Sequence, residues 1–155
     1  MAVATDIRPY REITRSGKYV LNFHAGQTKA WESKARYPVM SAGTQSGKTT
    51  FEPDWLRREI NFKGEGDYLA VTATFPLLEK KMLPEFLFVF ETAFHLGEYQ
   101  AGKNLIQFHH VPGGTNAQVK VIDATRIMFA SGNKPDSIES ATAKAAVADE
   151  AGQKD

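Results

Sequence analysis

Residues 42–49 read Ala42-Gly43-Thr44-Gln45-Ser46-Gly47-Lys48-Thr49, and this octet restricts the fold more than any other stretch of the chain. Binding a phosphate needs backbone N–H groups converging on one point, a helix N-terminus behind them and a cation on a long stem. Gly43 and Gly47 let the backbone turn and approach a ligand with no Cβ in the way. Lys48 can reach β- and γ-phosphates, and the Thr49 hydroxyl can sit on Mg²⁺. Thr50 closes the set of candidate binding residues. Ala42 stands where the pattern G-x-x-x-x-G-K-[ST] opens on glycine; Gly43 restores one, in a pattern one residue shorter. Tyr37 to Ala42 reads as an entering strand with Pro38 near its start, and Lys48 to Phe62 reads as a helix with Pro53 in its early turns. Strand, loop and helix together imply ATP or a close relative as ligand, with Mg²⁺ beside it.

Composition removes several alternatives. A chain of 155 residues that is 42% hydrophobic and 24% charged suits one soluble domain with a real core. Its 19 basic and 18 acidic residues give a net charge of +1, so no global field pulls it toward DNA or a membrane. The absence of cysteine excludes disulfides, thiolate catalysis and Cys-based zinc sites. The start, Met1 to Asp6, lacks the pattern of a signal peptide, and no apolar run approaches a bilayer span. A reducing cytoplasmic compartment is expected.

Along the chain, residues 1–21 read as a loosely structured lead-in and 22–155 as the domain proper. A short helix is expected from about Gln27 to Ala35, and a strand at Tyr68 to Ala73. Phe75 to about His95 has apolar residues at helical spacing, with a kink or break at Pro84. Gly97 and Gly102 bracket a turn before a strand at Asn104 to Phe108. Ala117 to Ile122 and Thr125 to Ser131 look like an antiparallel hairpin with Asp123-Ala124 at its tip. Ala145 to Ala148 is a small apolar strand that delivers Asp149-Glu150 at its end. Strands alternating with helices predict an α/β layer fold with a largely parallel sheet, to which the hairpin is an antiparallel addition.

The acidic pair turns binding into possible hydrolysis. Hydrolysis needs an acid near the metal and a group that orients water. At the C-terminal edge of a parallel sheet, Asp149 would hold Mg²⁺ and Glu150 would polarise the attacking water. Gln27 lies ahead of the phosphate loop, and a glutamine amide can donate to and accept from the Hoogsteen edge of adenine at once.

Phe23-His24-Ala25-Gly26-Gln27, then Ser33-Lys34-Ala35-Arg36, then Ala42 to Thr50, resembles the opening of a phage terminase large subunit ATPase domain. The likeness continues through Val71 to Pro76, Thr125 to Ser131 and Ala148 to Gly152, so it covers about Asn22 to the C-terminus. The resemblance implies a RecA-like P-loop NTPase core of three α/β/α layers. It implies ATP hydrolysis coupled to translocation of viral double-stranded DNA into the capsid. Gln27 then matches the adenine-reading glutamine, Lys48 and Thr49 the phosphate and magnesium residues, Asp149 the metal-site acid and Glu150 the catalytic carboxylate. Implied partners are the portal protein and the terminase small subunit, in a homo-oligomeric ring at the procapsid portal vertex in the host cytoplasm. Many members carry an arginine within the phosphate loop, where Thr44 and Gln45 stand here; many carry Arg-Gly before the acidic strand, where Glu139-Ser140 stand here.

The family's domain continues past the acidic pair with a coupling segment and further strands, followed by a nuclease domain. This chain ends at Asp155, so it reads as the N-terminal, C-terminally incomplete part of such a domain, expected to bind ATP weakly and turn it over little. Other expectations are plainer. His109-His110 should be a strand-end surface pair, Arg57-Arg58 and Lys80-Lys81 solvated helix faces, and the aromatics of Phe86 to Phe94 core or a subunit contact. The competing readings are a helicase-type ATPase and a nucleotide-binding module without catalysis; a P-loop kinase fits least.

Overall fold

The structure, a computed structural model, describes residues 8–41, 43, 45–109, 125–134 and 142–149. The chain divides into two units, Met1–Gly43 and Thr44–Asp155.

In the first unit, β1 (Arg11–Ile13) and β2 (Tyr19–Leu21) pair antiparallel, Ile13 opposite Tyr19. The expected loose lead-in therefore contains a hairpin. Gly17 supplies the left-handed residue of its turn (φ 78°) and its N–H bonds the Thr14 carbonyl at 2.8 Å. A helix follows, α1 (Ala25–Glu32), capped by His24, whose Nδ1 accepts from the N–H groups of Gly26 and Gln27. The Phe23 ring lies between those of Trp31 and Tyr10, with centroids at 5.0 and 6.0 Å. The strand expected at Tyr37 to Ala42 is not formed over 37–41. Pro38 cannot donate to a ladder, and Tyr37 and Val39 are 76% and 89% exposed, so these side chains find no sheet face to pack on.

The second unit opens with α2 (Lys48–Lys63), closed by Gly64, whose N–H bonds the Ile60 carbonyl. Next come β3 (Asp67–Thr72) and a helical run over residues 75–93. That run is α3 (Phe75–Leu77), a π-helical stretch Leu78–Met82, α4 (Leu83–Leu87) and a second π-helical stretch Phe88–Ala93. The break expected at Pro84 is thus absorbed by widening the helix just ahead of it: the Leu83 N–H reaches back five residues to Leu78.

The sheet continues with β4 (Gly97–Gln100), β5 (Leu105–Phe108), β6 (Arg126–Ser131) and β7 (Ala143–Asp149), in the spatial order β4-β5-β6-β3-β7. β6, β3 and β7 run parallel; β4 and β5 add an antiparallel hairpin beside β6. Of this antiparallel addition, β5 falls on the strand expected at Asn104 to Phe108, and β4 on residues read as a turn. Gly97 permits it, since a Cβ there would lie 2.5 Å from the Gln107 carbonyl. β6 is the second arm of the hairpin expected at 117–131; the first arm lies outside the described residues.

Period-two positions across the sheet, Ile106, Ile127, Phe129, Tyr68, Ala70 and Val147, present one apolar face to Leu56 and Ile60 of α2 and to Met82, Phe86 and Phe90 of the helical run. Phe86 meets Phe129 edge-on at 5.3 Å. Among the described residues of this unit the helices share one cluster on one face, so two of the three expected layers are seen.

Candidate functional site

The parallel strands end on a polar row. Thr72 is in register with Ser131 on one side and Asp149 on the other, and all three are buried. Two of these groups secure the segment after β3: the Ser131 hydroxyl donates to the Ala73 carbonyl, and that of Thr72 to the Thr74 carbonyl. Asp149 instead meets α2. The Thr49 hydroxyl donates to Asp149 Oδ2 at 2.5 Å, joining residues one hundred positions apart. The two residues assigned to Mg²⁺ from sequence are therefore direct neighbours.

The loop ahead of α2 turns through left-handed backbone at Gln45 (φ 63°) and at Gly47 (φ 77°), which is the helix N-cap. Gly47 carries no side chain to cap the first turn of α2. Lys48 folds back over the loop, its ammonium 3.4 Å from the Ser46 hydroxyl. Thr50 donates to Glu85 Oε1 of α4 at 3.4 Å. Pro53, inside α2, has no N–H to give the Thr49 carbonyl. Ala42, Thr44 and Glu150 lie outside the described residues, so the loop is seen at Gly43 and from Gln45 onward.

Gln27 belongs to the first unit and is buried. Its Oε1 accepts the backbone N–H of His24 at 3.2 Å, completing a reciprocal cap at the start of α1. The amide oxygen expected to read adenine is engaged in that cap here.

Sequence reasoning missed Glu52. It lies one turn beyond Lys48 on α2, and its Oε2 is enclosed without a hydrogen-bond partner. Burial pushes its carboxyl up to about 9; the charge of Asp149 adds to the shift and that of Lys48 opposes it. The i, i+4 spacing from Lys48 was the available signal. Lys80 and Lys81 are exposed, as expected, and Lys81 lines a shallow crevice ending at Asp149 with Thr72, Leu77 and Met82. Arg57 and Arg58, expected on a solvated face, are half-buried; Arg57 stacks on Phe94 at 4.1 Å and Arg58 pairs with Glu59 at 2.8 Å. His109 is exposed, and the described residues contain no cluster of three or more metal-binding side chains.

This fold has solved counterparts. The large terminase ATPase domain of Thermus phage P74-26 matches with a TM-score of 0.62 and 20% sequence identity, over 84% of this chain and 54% of that one. An arginine-to-alanine variant of the same domain matches equally well. The fold is that of a phage large-terminase ATPase domain. The chain spans about half the length of the solved domains it matches. No family model matches the sequence, and no curated protein matches it. No helix among the described residues is long and apolar enough to cross a membrane.

The donor set at this place suits a divalent cation. Thr49 Oγ1, the Asp149 carboxylate and the enclosed, unpartnered Oε2 of Glu52 are all hard oxygen donors, the type Mg²⁺ takes. The residues fit the ion.

Proposed function

We propose that this chain is the nucleotide-binding part of a terminase-type, RecA-like ATPase, built to bind ATP with Mg²⁺ and to hydrolyse it. The observation that carries this reading is the hydrogen bond from Thr49 to Asp149, which joins the helix behind the phosphate loop to the end of the acidic strand. A glycine-turned loop, a helix N-terminus and a lysine stand on one side of that bond, and a buried carboxylate on the other.

Each residue then has a task. The N–H groups of the loop and first turn of α2 receive phosphate oxygens, favoured by the positive end of the helix dipole. Lys48, now lying on Ser46, swings to neutralise the β- and γ-phosphates. Thr49 and Asp149 would hold Mg²⁺, which would supply charge neutralisation at the phosphoryl group. Glu150, following β7, orients the attacking water and takes its proton. Gln27 exchanges its contact with the His24 N–H for the adenine edge. Translocation of double-stranded viral DNA, in a ring with portal and small-subunit partners, is the use that the terminase likeness suggests for this hydrolysis.

The test is binding of a fluorescent ATP analogue with Mg²⁺, followed by phosphate release. Wild-type protein should bind, Lys48→Ala should not, and Glu150→Gln should bind without turnover. Binding that survives Lys48→Ala sinks the phosphate-loop reading. Turnover that survives Glu150→Gln removes the catalytic role and leaves a nucleotide-binding module.

A further inference from the structure

Glu52 has no task in that scheme, yet it occupies a costly position. An enclosed carboxylate oxygen without a donor is destabilising, and an apolar side chain of similar size on the same helix face would avoid the cost. The Lys48 ammonium lies 3.4 Å from the Ser46 hydroxyl, and its charge opposes, without outweighing, the effect of burial on Glu52. Asp149 acts on Glu52 as a like charge. The Thr49 hydroxyl spends its proton on Asp149, so its lone pairs remain available as acceptors. Two acids and one hydroxyl thus stand on α2 and at the end of β7, and the Glu52 Oε2 among them is enclosed without a donor.

We propose that Glu52 is a third protein oxygen donor at the Thr49–Asp149 cation site, binding the ion directly or through one of its waters, so that the chain takes up a divalent cation before nucleotide arrives. This rests on the reading of Thr49 and Asp149 as cation-holding residues. A bound ion would satisfy the enclosed oxygen with the kind of hard cation that such a donor takes. Glu52 lies three residues after Thr49, so the same helical turn that presents the hydroxyl presents the carboxylate. Nucleotide would then meet a site that already carries its metal, whereas a site with only a hydroxyl and one acid depends on the phosphates to bring it.

The experiment titrates the full chain with Mn²⁺ alone and follows free Mn²⁺ by electron paramagnetic resonance, for wild type, Glu52→Gln, Glu52→Asp and Asp149→Asn. Binding of a fluorescent ADP in EDTA is measured in parallel. Wild type should bind one Mn²⁺ without nucleotide. Glu52→Gln should weaken that binding about tenfold or more, while metal-free ADP binding stays within about twofold, because removing an outer donor does not touch the phosphate loop. Glu52→Asp, which keeps a carboxylate, should recover part of the lost affinity. Unchanged Mn²⁺ affinity in Glu52→Gln with a loss in Asp149→Asn overturns the role of Glu52 and leaves the cation site standing. Unchanged affinity in both variants, or no Mn²⁺ binding by wild type without nucleotide, overturns the preloaded site. A change in melting temperature with unchanged Mn²⁺ affinity marks a packing role and overturns the proposal as well.

Discussion

The same three parallel strands end very differently at their two edges. At the N-terminal edge, Asp67 is in register with Arg126 and Ala143, and the guanidinium donates to both carboxylate oxygens at 2.8 and 2.6 Å. This pair is in contact with solvent, and the Asp67 carboxylate raises the pKa of Arg126, first by hydrogen bonding and then by its charge. At the C-terminal edge, Ser131, Thr72 and Asp149 are buried, and one enclosed carboxylate oxygen nearby has no donor at all. One edge answers each charge with another from the chain. The other spends burial on polar groups and leaves part of the demand unmet, as expected where ligands bind at the carboxyl ends of strands.

The comparison can be broken in four places. Phe86→Ala removes a fully buried ring common to both ends and should destabilise the protein by about 3–5 kcal/mol, seen as a large fall in melting temperature. If it costs less than about 1 kcal/mol, the shared core does not support the sheet as described.

Lys48→Ala should leave the melting temperature nearly unchanged but weaken a fluorescent ATP analogue about a hundredfold, a loss of about 2.7 kcal/mol. Arg126→Ala, at the opposite edge, should leave that binding untouched.

Glu52→Gln should stabilise the protein, and the gain should depend on pH. The carboxyl is pushed up to about 9 by burial and by Asp149, so it is protonated in the folded state while the unfolded chain ionises above its ordinary value of 4.5. Folding therefore takes up a proton between those values. Wild-type stability falls as pH rises through that window and is insensitive to this group below it. The gain of Glu52→Gln should be near zero at about pH 4 and on the order of 2 kcal/mol at about pH 7.5. Melting curves at both pH values check it, and an equal gain at both would show that the carboxyl is not buried as described. A residue that weakens the fold while serving a ligand is the expected pattern at a site.

Arg126→Ala should cost the least, below about 1 kcal/mol and less at high salt, because an exposed ion pair is screened and ordered at an entropic cost. A larger loss would make the N-terminal edge a structural clamp rather than a neutralised surface.

Elements with a strong local signal were legible in the residues. The helix from Lys48, the strand at 67–72 and the strand ending at Asp149 lie where periodicity and breakers placed them. The terminase resemblance anticipated the fold that the solved domains share. The errors have physical reasons. The Gly97–Gln100 strand pairs with β5 at an approach that a Cβ on Gly97 would block, whereas a lone glycine reads as a turn. Tyr37 to Ser41 has the alternation of a strand but no partner among the described residues. The continuous helix through Pro84 depended on a widened turn that no residue pattern announces.

The sequence alone determined the loop chemistry: glycines that turn, a lysine that reaches, a hydroxyl beside it and an acid at the end of a small apolar strand. Those are local properties, carried by residue type and spacing. Only the tertiary structure decided that Thr49 meets Asp149, that Gln27 caps its own helix and that Glu52 lacks a donor. Proximity across one hundred residues follows from strand order and helix packing, and the want of a partner follows from burial; neither is written in any one segment.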